Sequence, residues 1–145
     1  MDSKTKPVRV LLVDDHPAML RQVAQLLEGE FQVQAALQDG EHLVTTAAAL
    51  RPDLIVLDIA LPGLNGIELA RRLAAAACPA GIVFLTVHAD ADYARAAFAA
   101  GGLGYVVKPR LGSDLLPALR AALQGQRFIS PCPDLDALLV EEDNP

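Results

Sequence analysis

Three aspartates follow two apolar runs of the sequence and could hold a divalent cation between them. Asp14 and Asp15 come directly after VRVLLV, and Asp58 comes directly after LIVL. Closely packed carboxylates repel one another, so at least one would hold its proton unless a cation neutralises the group. Oxygen ligands that leave room for water favour Mg²⁺. A carboxylate beside such an ion can accept a phosphoryl group and become an aspartyl phosphate.

A hydroxyl and an ammonium stand at the ends of later apolar runs. Thr86 ends GIVFLT, and Lys108 follows GYVV. Such donors can bind phosphoryl oxygens through charge-assisted hydrogen bonds. The adjacent aspartate pair alone is uninformative, because a chain with 12 aspartates is expected to contain about one such pair by chance. The prediction depends instead on the position of each residue at the end of an apolar run.

The apolar runs recur at nearly constant spacing, with stretches of helical character between them. Five strands alternating with five helices at this spacing predict an α/β fold with a parallel sheet that is covered on both faces. The predicted strands begin at Val8, Phe31, Leu54, Gly81 and Gly104, and the predicted helices are Ala18–Glu28, Glu41–Leu50, Ile67–Ala77, Asp92–Ala100 and Leu115–Leu123.

The composition of the runs predicts the order of the strands. The first, third and fourth are nearly continuous in Val, Ile and Leu, as expected of strands buried on both faces. The second alternates apolar and polar residues and the fifth is short, so both suit an edge. We therefore predict a doubly wound, flavodoxin-like sheet of order 2-1-3-4-5. The carboxyl ends of all five strands would lie at one rim, where Asp14, Asp15 and Asp58 converge and Thr86 and Lys108 approach from the other side.

The last helix and the C-terminal segment have separate signals. Ser113 and Asp114 are suitable residues to start helix 5. Pro117 would then be about the fourth helical residue, where proline is tolerated. The segment after residue 126 contains three prolines and an acidic end. We interpret 127–145 as a tail or interdomain linker with one short helix at Leu135–Val140.

Composition excludes several functional classes. The formal net charge is −6 and no cluster of Lys and Arg occurs, so the chain is not expected to bind nucleic acid directly. No apolar run reaches the length of a membrane span, and the N-terminus lacks a signal-peptide pattern. We expect a cytoplasmic protein whose two cysteines, Cys78 and Cys132, are unpaired thiols.

Four segments in this order resemble the receiver domain of two-component response regulators. The resemblance covers roughly Val8 to Gln126, and we assign 7–126 to this domain. It implies that Asp58 accepts a phosphoryl group from a sensor histidine kinase. It also implies that Asp14, Asp15 and Asp58 bind Mg²⁺ together with the backbone carbonyl of Ala60. The matching segments are LLVDDHP, LIVLDIALPGLNGIEL, FLTVHAD and AGGLGYVVKP.

The same resemblance implies a conformational switch. Lys108 would contact the phosphoryl group, Thr86 would move toward it, and Tyr105 would change rotamer with Thr86. The surface of helix 4, strand 5 and helix 5 would then change, and a homodimer could form through that surface or through helices 1 and 5. In the family, the bond between Lys108 and Pro109 is usually cis.

Two short segments narrow the resemblance. DDHP in the first loop and GQRFISP after helix 5 are similar to the NarL/FixJ type of regulator, whose members usually carry a LuxR-type helix-turn-helix domain. Our hypothesis is that the chain is the receiver part of a longer transcription factor. A natural single-domain regulator is the alternative. Ala60 and His88 depart from the commonest residues at their positions and leave the phosphoryl lifetime open.

Two other functions compete with a phosphorylation switch. A Mg²⁺-dependent phosphatase would also form an aspartyl phosphate, but it predicts an aspartate where this chain has Ala60. A pseudo-receiver, which binds partners without phosphotransfer, typically lacks an acidic ligand or the lysine, and this chain keeps both. The chain is therefore expected to be a signalling switch that catalyses at most its own phosphorylation and dephosphorylation. His16 and His42 are expected to be exposed histidines without a metal-binding role.

Overall fold

Six parallel strands form the central sheet, and five helices pack on its two faces. The structure, a computed structural model, describes residues 6–131. The strands of the sheet are β1 Val8–Val13, β2 Phe31–Leu37, β3 Leu54–Leu57, β4 Gly81–Thr86, β5 Gly104–Val107 and β6 Phe128–Ile129. The helices are α1 Pro17–Leu27, α2 Leu43–Leu50, α3 Gly66–Ala75, α4 Ala91–Ala99 and α5 Leu111–Leu123.

The strand order is β2-β1-β3-β4-β5-β6. The first five strands confirm the predicted doubly wound order. Strands β1, β3 and β4 lie inside the sheet, as their continuous apolar composition predicts, and β2 is an edge. The prediction that the fifth strand is the other edge is wrong. Strand β6 pairs with β5 in parallel register, with Gly104 opposite Phe128 and Tyr105 opposite Ile129.

Side chains of the sheet alternate between two cores. On one face, Leu11 and Val13 of β1 belong to a cluster that also contains residues of α2, α3 and α4. On the other face, Val10 and Leu12 pack with residues of α1 and α5. Burial on both faces is the arrangement that a doubly wound sheet requires. It fixes the sheet firmly beneath the loops at its carboxyl rim.

Helix α5 begins earlier than predicted. It starts at Leu111, directly after a 3₁₀ turn over Lys108–Arg110, so Pro117 is its seventh residue rather than about its fourth. The reason is that Asp114 does not start the helix. Its carboxylate accepts hydrogen bonds from the guanidinium of Arg110, which is the residue before the helix. The described residues contain no cis peptide bond, so the bond before Pro109 is trans, unlike the expectation from the resemblance.

Part of the predicted tail belongs to the sheet. Phe128 and Ile129 form β6, and Ser130 is fully buried. The rest of the tail lies outside the described residues, as do the predicted helix Leu135–Val140 and Cys132. Within residues 6–131, no helix has both the length and the apolar composition needed to cross a bilayer.

Candidate functional site

The carboxyl rim of the sheet brings Asp14 and Asp58 together. Val13 and Leu57 are paired residues at the ends of β1 and β3, and the Asp58 amide donates to the Val13 carbonyl at 3.0 Å. The next residue of each chain segment is therefore an aspartate at the same edge. Both side chains are nearly inaccessible to solvent, with 4% and 3% of each residue exposed.

Lys108 reaches both buried carboxylates. Its Nζ lies 2.8 Å from Asp14 Oδ2 and donates a hydrogen bond to Asp58 Oδ2 at 3.0 Å. The Lys108 side chain is itself only 10% exposed, so water screens these pairs weakly. Burial alone would lower the pKa of Lys108, but its bonds and charge interactions with the two aspartates outweigh burial and raise the pKa. The ammonium therefore stays charged throughout the physiological range.

The acidic cluster has the chemistry of a divalent-cation site. Ligand atoms of Asp14, Asp15, His16 and Asp58 all lie within 4.8 Å of one another. Within residues 6–131, the buried oxygens Asp14 Oδ2 and Asp15 Oδ1 accept no hydrogen bond, although Lys108 Nζ forms an ion pair with the former. Buried carboxylate oxygens without donors are costly unless a cation binds them. These residues therefore fit Mg²⁺.

His16 is closer to this cluster than sequence analysis indicated. Its backbone amide donates to Asp14 Oδ1 at 2.9 Å. Its Nδ1 lies 3.2 Å from Asp14 Oδ1 and 3.0 Å from Asp15 Oδ1, although its side chain is 68% exposed. The turn in which a side-chain oxygen bonds the amide two residues later is typical of Asp, and the DDHP segment carried this signal. His16 thus orients the first aspartate rather than standing apart in the loop.

The loop after β3 fixes the backbone of Asp58. The Ala60 amide donates to Asp58 Oδ1 at 3.3 Å. Gly66, the first residue of α3, donates its amide to the Ile59 carbonyl at 2.7 Å. A Cβ atom at Gly66 would lie 2.1 Å from the Asp58 carbonyl oxygen, so only glycine allows α3 to approach this closely. Sequence analysis treated this residue as a turn glycine and missed the contact.

Thr86 and Tyr105 lie on neighbouring strands beneath the same rim. Both are fully buried. Thr86 Oγ1 accepts a hydrogen bond from the His88 amide at 3.3 Å. The Tyr105 hydroxyl donates to the His88 carbonyl at 2.7 Å. Both predicted switch residues therefore contact the loop after β4 through His88, whose ring stacks on Tyr93 with 4.5 Å between centroids.

The hydrogen bond from Tyr105 to His88 predicts a measurable loss of stability. We expect Tyr105→Phe to lower the free energy of unfolding by about 1 kcal/mol, because the substitution keeps the ring and removes one donor to a carbonyl. Tyr93→Phe is the matched control, since the Tyr93 ring is partly exposed, and we expect a change within about 0.5 kcal/mol. Urea denaturation of both variants measures the difference. Equal stability of the two would contradict the role assigned to the hydrogen bond.

Comparison with known proteins identifies the family. The family model for the response regulator receiver domain matches residues 10–120. The chain belongs to the response regulator receiver domain family. The match contains all six residues that sequence analysis named for their side chains, from Asp14 in the first loop to Lys108 after β5.

The curated relatives of this receiver are response regulators. It is 36% identical over 123 residues to the positive alginate biosynthesis regulatory protein of Pseudomonas aeruginosa, covering 83% of the receiver chain and 49% of that protein. It is 34% identical over 143 residues to the nitrate/nitrite response regulator protein homolog of Haemophilus influenzae, covering 95% and 68%. The chain spans about half the length of the first relatives that it matches.

A solved structure supports the same assignment. The two-component response regulator of the LuxR family from Aurantimonas sp. SI85-9A1 matches the receiver with a TM-score of 0.85 and 33% identity. The match covers 97% of this chain and 100% of that chain. Together with the NarL-type relatives, this neighbour confirms the flavodoxin-like fold and the predicted resemblance.

Proposed function

We propose that the receiver takes a phosphoryl group from the phosphohistidine of a sensor histidine kinase onto Asp58. The observation that carries the proposal is the position of the Asp58 carboxylate, buried beside Asp14 and hydrogen-bonded to Lys108 at 3.0 Å. A carboxylate oxygen would attack phosphorus in line, forming a P–O bond as the P–N bond to the histidine breaks. The histidine leaves with the electron pair of that bond and takes up a proton.

The residues of the rim would divide the work of binding and transfer. Asp14, Asp15 and Asp58 would hold Mg²⁺ through side-chain oxygens, and the backbone carbonyl of Ala60 is proposed as a further ligand. When bound, Mg²⁺ would neutralise charge on the phosphoryl oxygens. Lys108 carries a fixed positive charge and would donate to a phosphoryl oxygen once Asp58 is modified.

The proposed switch moves a hydroxyl rather than the tyrosine ring. Thr86 Oγ1 bonds the His88 amide in this structure, and phosphorylation would draw the hydroxyl toward the new oxygens. Tyr105 is already turned inward and fully buried, so its inward position does not require the phosphoryl group. We propose that the surface of α4, β5 and α5 then changes and favours a homodimer through that surface or through α1 and α5.

Two new hydrogen bonds provide enough energy for such a switch. Charge-assisted bonds from Lys108 and Thr86 to the phosphoryl group contribute roughly 1.5–3 kcal/mol each. Moving a population from mostly one state to mostly the other takes about 5.5 kcal/mol of differential binding. The two quantities are of the same order, so no additional source of energy is required.

Removing one acidic ligand should weaken Mg²⁺ binding. We expect Asp15→Asn to reduce Mg²⁺ affinity at least about tenfold, because a neutral amide oxygen replaces one carboxylate of the cluster. Asp39→Asn is the matched control, since Asp39 follows β2 at the same rim but is not part of the cluster. Calorimetric titration with Mg²⁺ measures both. Wild-type protein that binds no Mg²⁺ at millimolar concentration would instead favour a pseudo-receiver.

We propose that the receiver controls transcription as part of a longer protein. Relatives include a protein named transcriptional regulatory protein DegU from Brevibacillus brevis, which is 31% identical over 126 residues. A LuxR-type helix-turn-helix domain after residue 145 is the proposed output, and a stand-alone cytoplasmic regulator is the alternative. The reading frame downstream of this segment in the gene distinguishes the two.

A further inference from the structure

A buried serine after β6 connects the last described residues to the strand that carries Lys108. Ser130 is fully buried, although the sequence around it resembles a solvated linker. Its amide donates to the Tyr105 carbonyl at 2.9 Å, and its Oγ accepts a hydrogen bond from the Val107 amide at 3.1 Å. One residue therefore satisfies a backbone carbonyl and a backbone amide of β5, within three residues of Lys108.

The other side of Lys108 is held by a buried carboxylate. Asp114, only 4% exposed, accepts hydrogen bonds from Arg110 Nε at 2.7 Å and from Ser113 Oγ at 2.9 Å. Burial alone would raise the pKa of Asp114. Hydrogen bonds from Arg110, Ser130 and Ser113, together with the Arg110 charge, outweigh burial and lower it. The carboxylate is therefore ionised at neutral pH and binds Ser130 and Arg110 together.

These bonds lie on both sides of the turn that carries the phosphoryl-binding lysine. Val107 precedes Lys108 and is bonded to Ser130, and Arg110 follows Pro109 and is bonded to Asp114. Ser130 and Asp114 touch neither Asp14 nor Asp58 in any described contact. We propose that Ser130 and Asp114 are positioning residues that hold Lys108 against the phosphoryl-accepting carboxylate. This inference rests on the proposed function only for its kinetic consequence.

The physical reason is the cost of leaving the β5 backbone unsatisfied. Serine's hydroxyl can accept from the Val107 amide and donate to Asp114 at the same time. Alanine at this position would leave the Val107 amide buried without an acceptor, and the strand end would shift to find one. Lys108 is the next residue, so its ammonium would move away from Asp58 while the three aspartates keep their places.

Ser130→Ala in the full 145-residue chain tests the inference with two readouts. In a crystal structure of the variant, we expect the distance from Lys108 Nζ to Asp58 Oδ2 to exceed about 3.5 Å, the limit of a hydrogen bond. With acetyl phosphate as donor, we expect phosphorylation to slow about tenfold, since small displacements of positioning groups have effects of this size. We expect Mg²⁺ affinity to change less than about twofold.

Three further variants make the test specific. Ser113→Ala removes a hydroxyl that bonds Asp114 without touching β5, and it should leave both readouts within about twofold of wild type. Ser130→Thr keeps the hydroxyl and should recover the Lys108 distance and most of the rate. If Ser130→Ala does not fold, Asp114→Asn replaces it and should move Lys108 in the same direction.

The outcomes separate this inference from the proposed function. Lys108 remaining hydrogen-bonded to Asp58 in Ser130→Ala would overturn the positioning role whatever the kinetics. A displaced Lys108 in a chain whose wild-type form accepts no phosphoryl group would support the positioning role and refute the proposed function. A slower rate in Ser113→Ala equal to that in Ser130→Ala would also overturn the inference, because it would show a general effect of weakening Asp114.

Discussion

Asp58→Asn is expected to abolish phosphoryl uptake from acetyl phosphate in the presence of Mg²⁺. An amide oxygen lacks the charge of a carboxylate nucleophile, so the rate should fall to the background of other surface carboxylates. Asparagine has nearly the same size as aspartate, and Asp58 is 3% exposed, so the substitution leaves no cavity. The mass of the intact protein after incubation reports the uptake directly.

The matched control for this variant lies at the opposite end of the same strand. Asp53 precedes β3, where it accepts a hydrogen bond from the Arg9 amide at 2.8 Å and is remote from the acidic cluster. Asp53→Asn should take up the phosphoryl group as wild type does. If Asp58→Asn and Asp53→Asn incorporated equal amounts, the acceptor would be a different residue and the proposed function would fail.

Gly66→Ala is expected to have the largest effect on stability. The added Cβ would lie 2.1 Å from the Asp58 carbonyl oxygen and 2.8 Å from the Ile59 Cα. Both neighbours are backbone atoms, so the loop after β3 or the start of α3 must move. Overpacking of this kind costs about 1–3 kcal/mol and occasionally more, and we expect the upper end of that range. The Asp58 backbone is the contact, so phosphoryl uptake should also fall.

Gly112→Ala provides the control for helix glycines in this chain. Gly112 is the second residue of α5, and a Cβ there would meet no atom within 4 Å. Alanine has the higher helix propensity, so we expect a gain of about 0.5 kcal/mol and unchanged phosphoryl uptake. Urea denaturation of the two variants compares them. Equal effects of the two substitutions would show that α3 does not depend on close approach to Asp58.

Much of the fold could be predicted because burial leaves a direct trace in composition. The continuous apolar runs of β1, β3 and β4 predicted central strands, and the alternation in β2 predicted an edge. The convergence of Asp14 and Asp58 followed from the geometry of parallel strands alone. These predictions used only the local pattern and a general rule about sheets.

The unpredicted features depend on contacts between distant parts of the chain. Strand β6 has two residues and is followed by Pro131, so its sequence resembles a linker until β5 supplies its partner. Asp114 has the composition of a helix start, but its ion pair with Arg110 moves the start of α5 to Leu111. The close approach at Gly66 depends on where α3 meets the β3 loop, which no local pattern reveals.

A crystal structure of the chain with Mg²⁺ and beryllofluoride tests the central claim most directly. The account predicts beryllofluoride on a carboxylate oxygen of Asp58, one Mg²⁺ bound by Asp14, Asp15 and Asp58, and Lys108 bonded to a fluorine atom. Beryllofluoride on another residue, or Mg²⁺ bound away from these three aspartates, would contradict it.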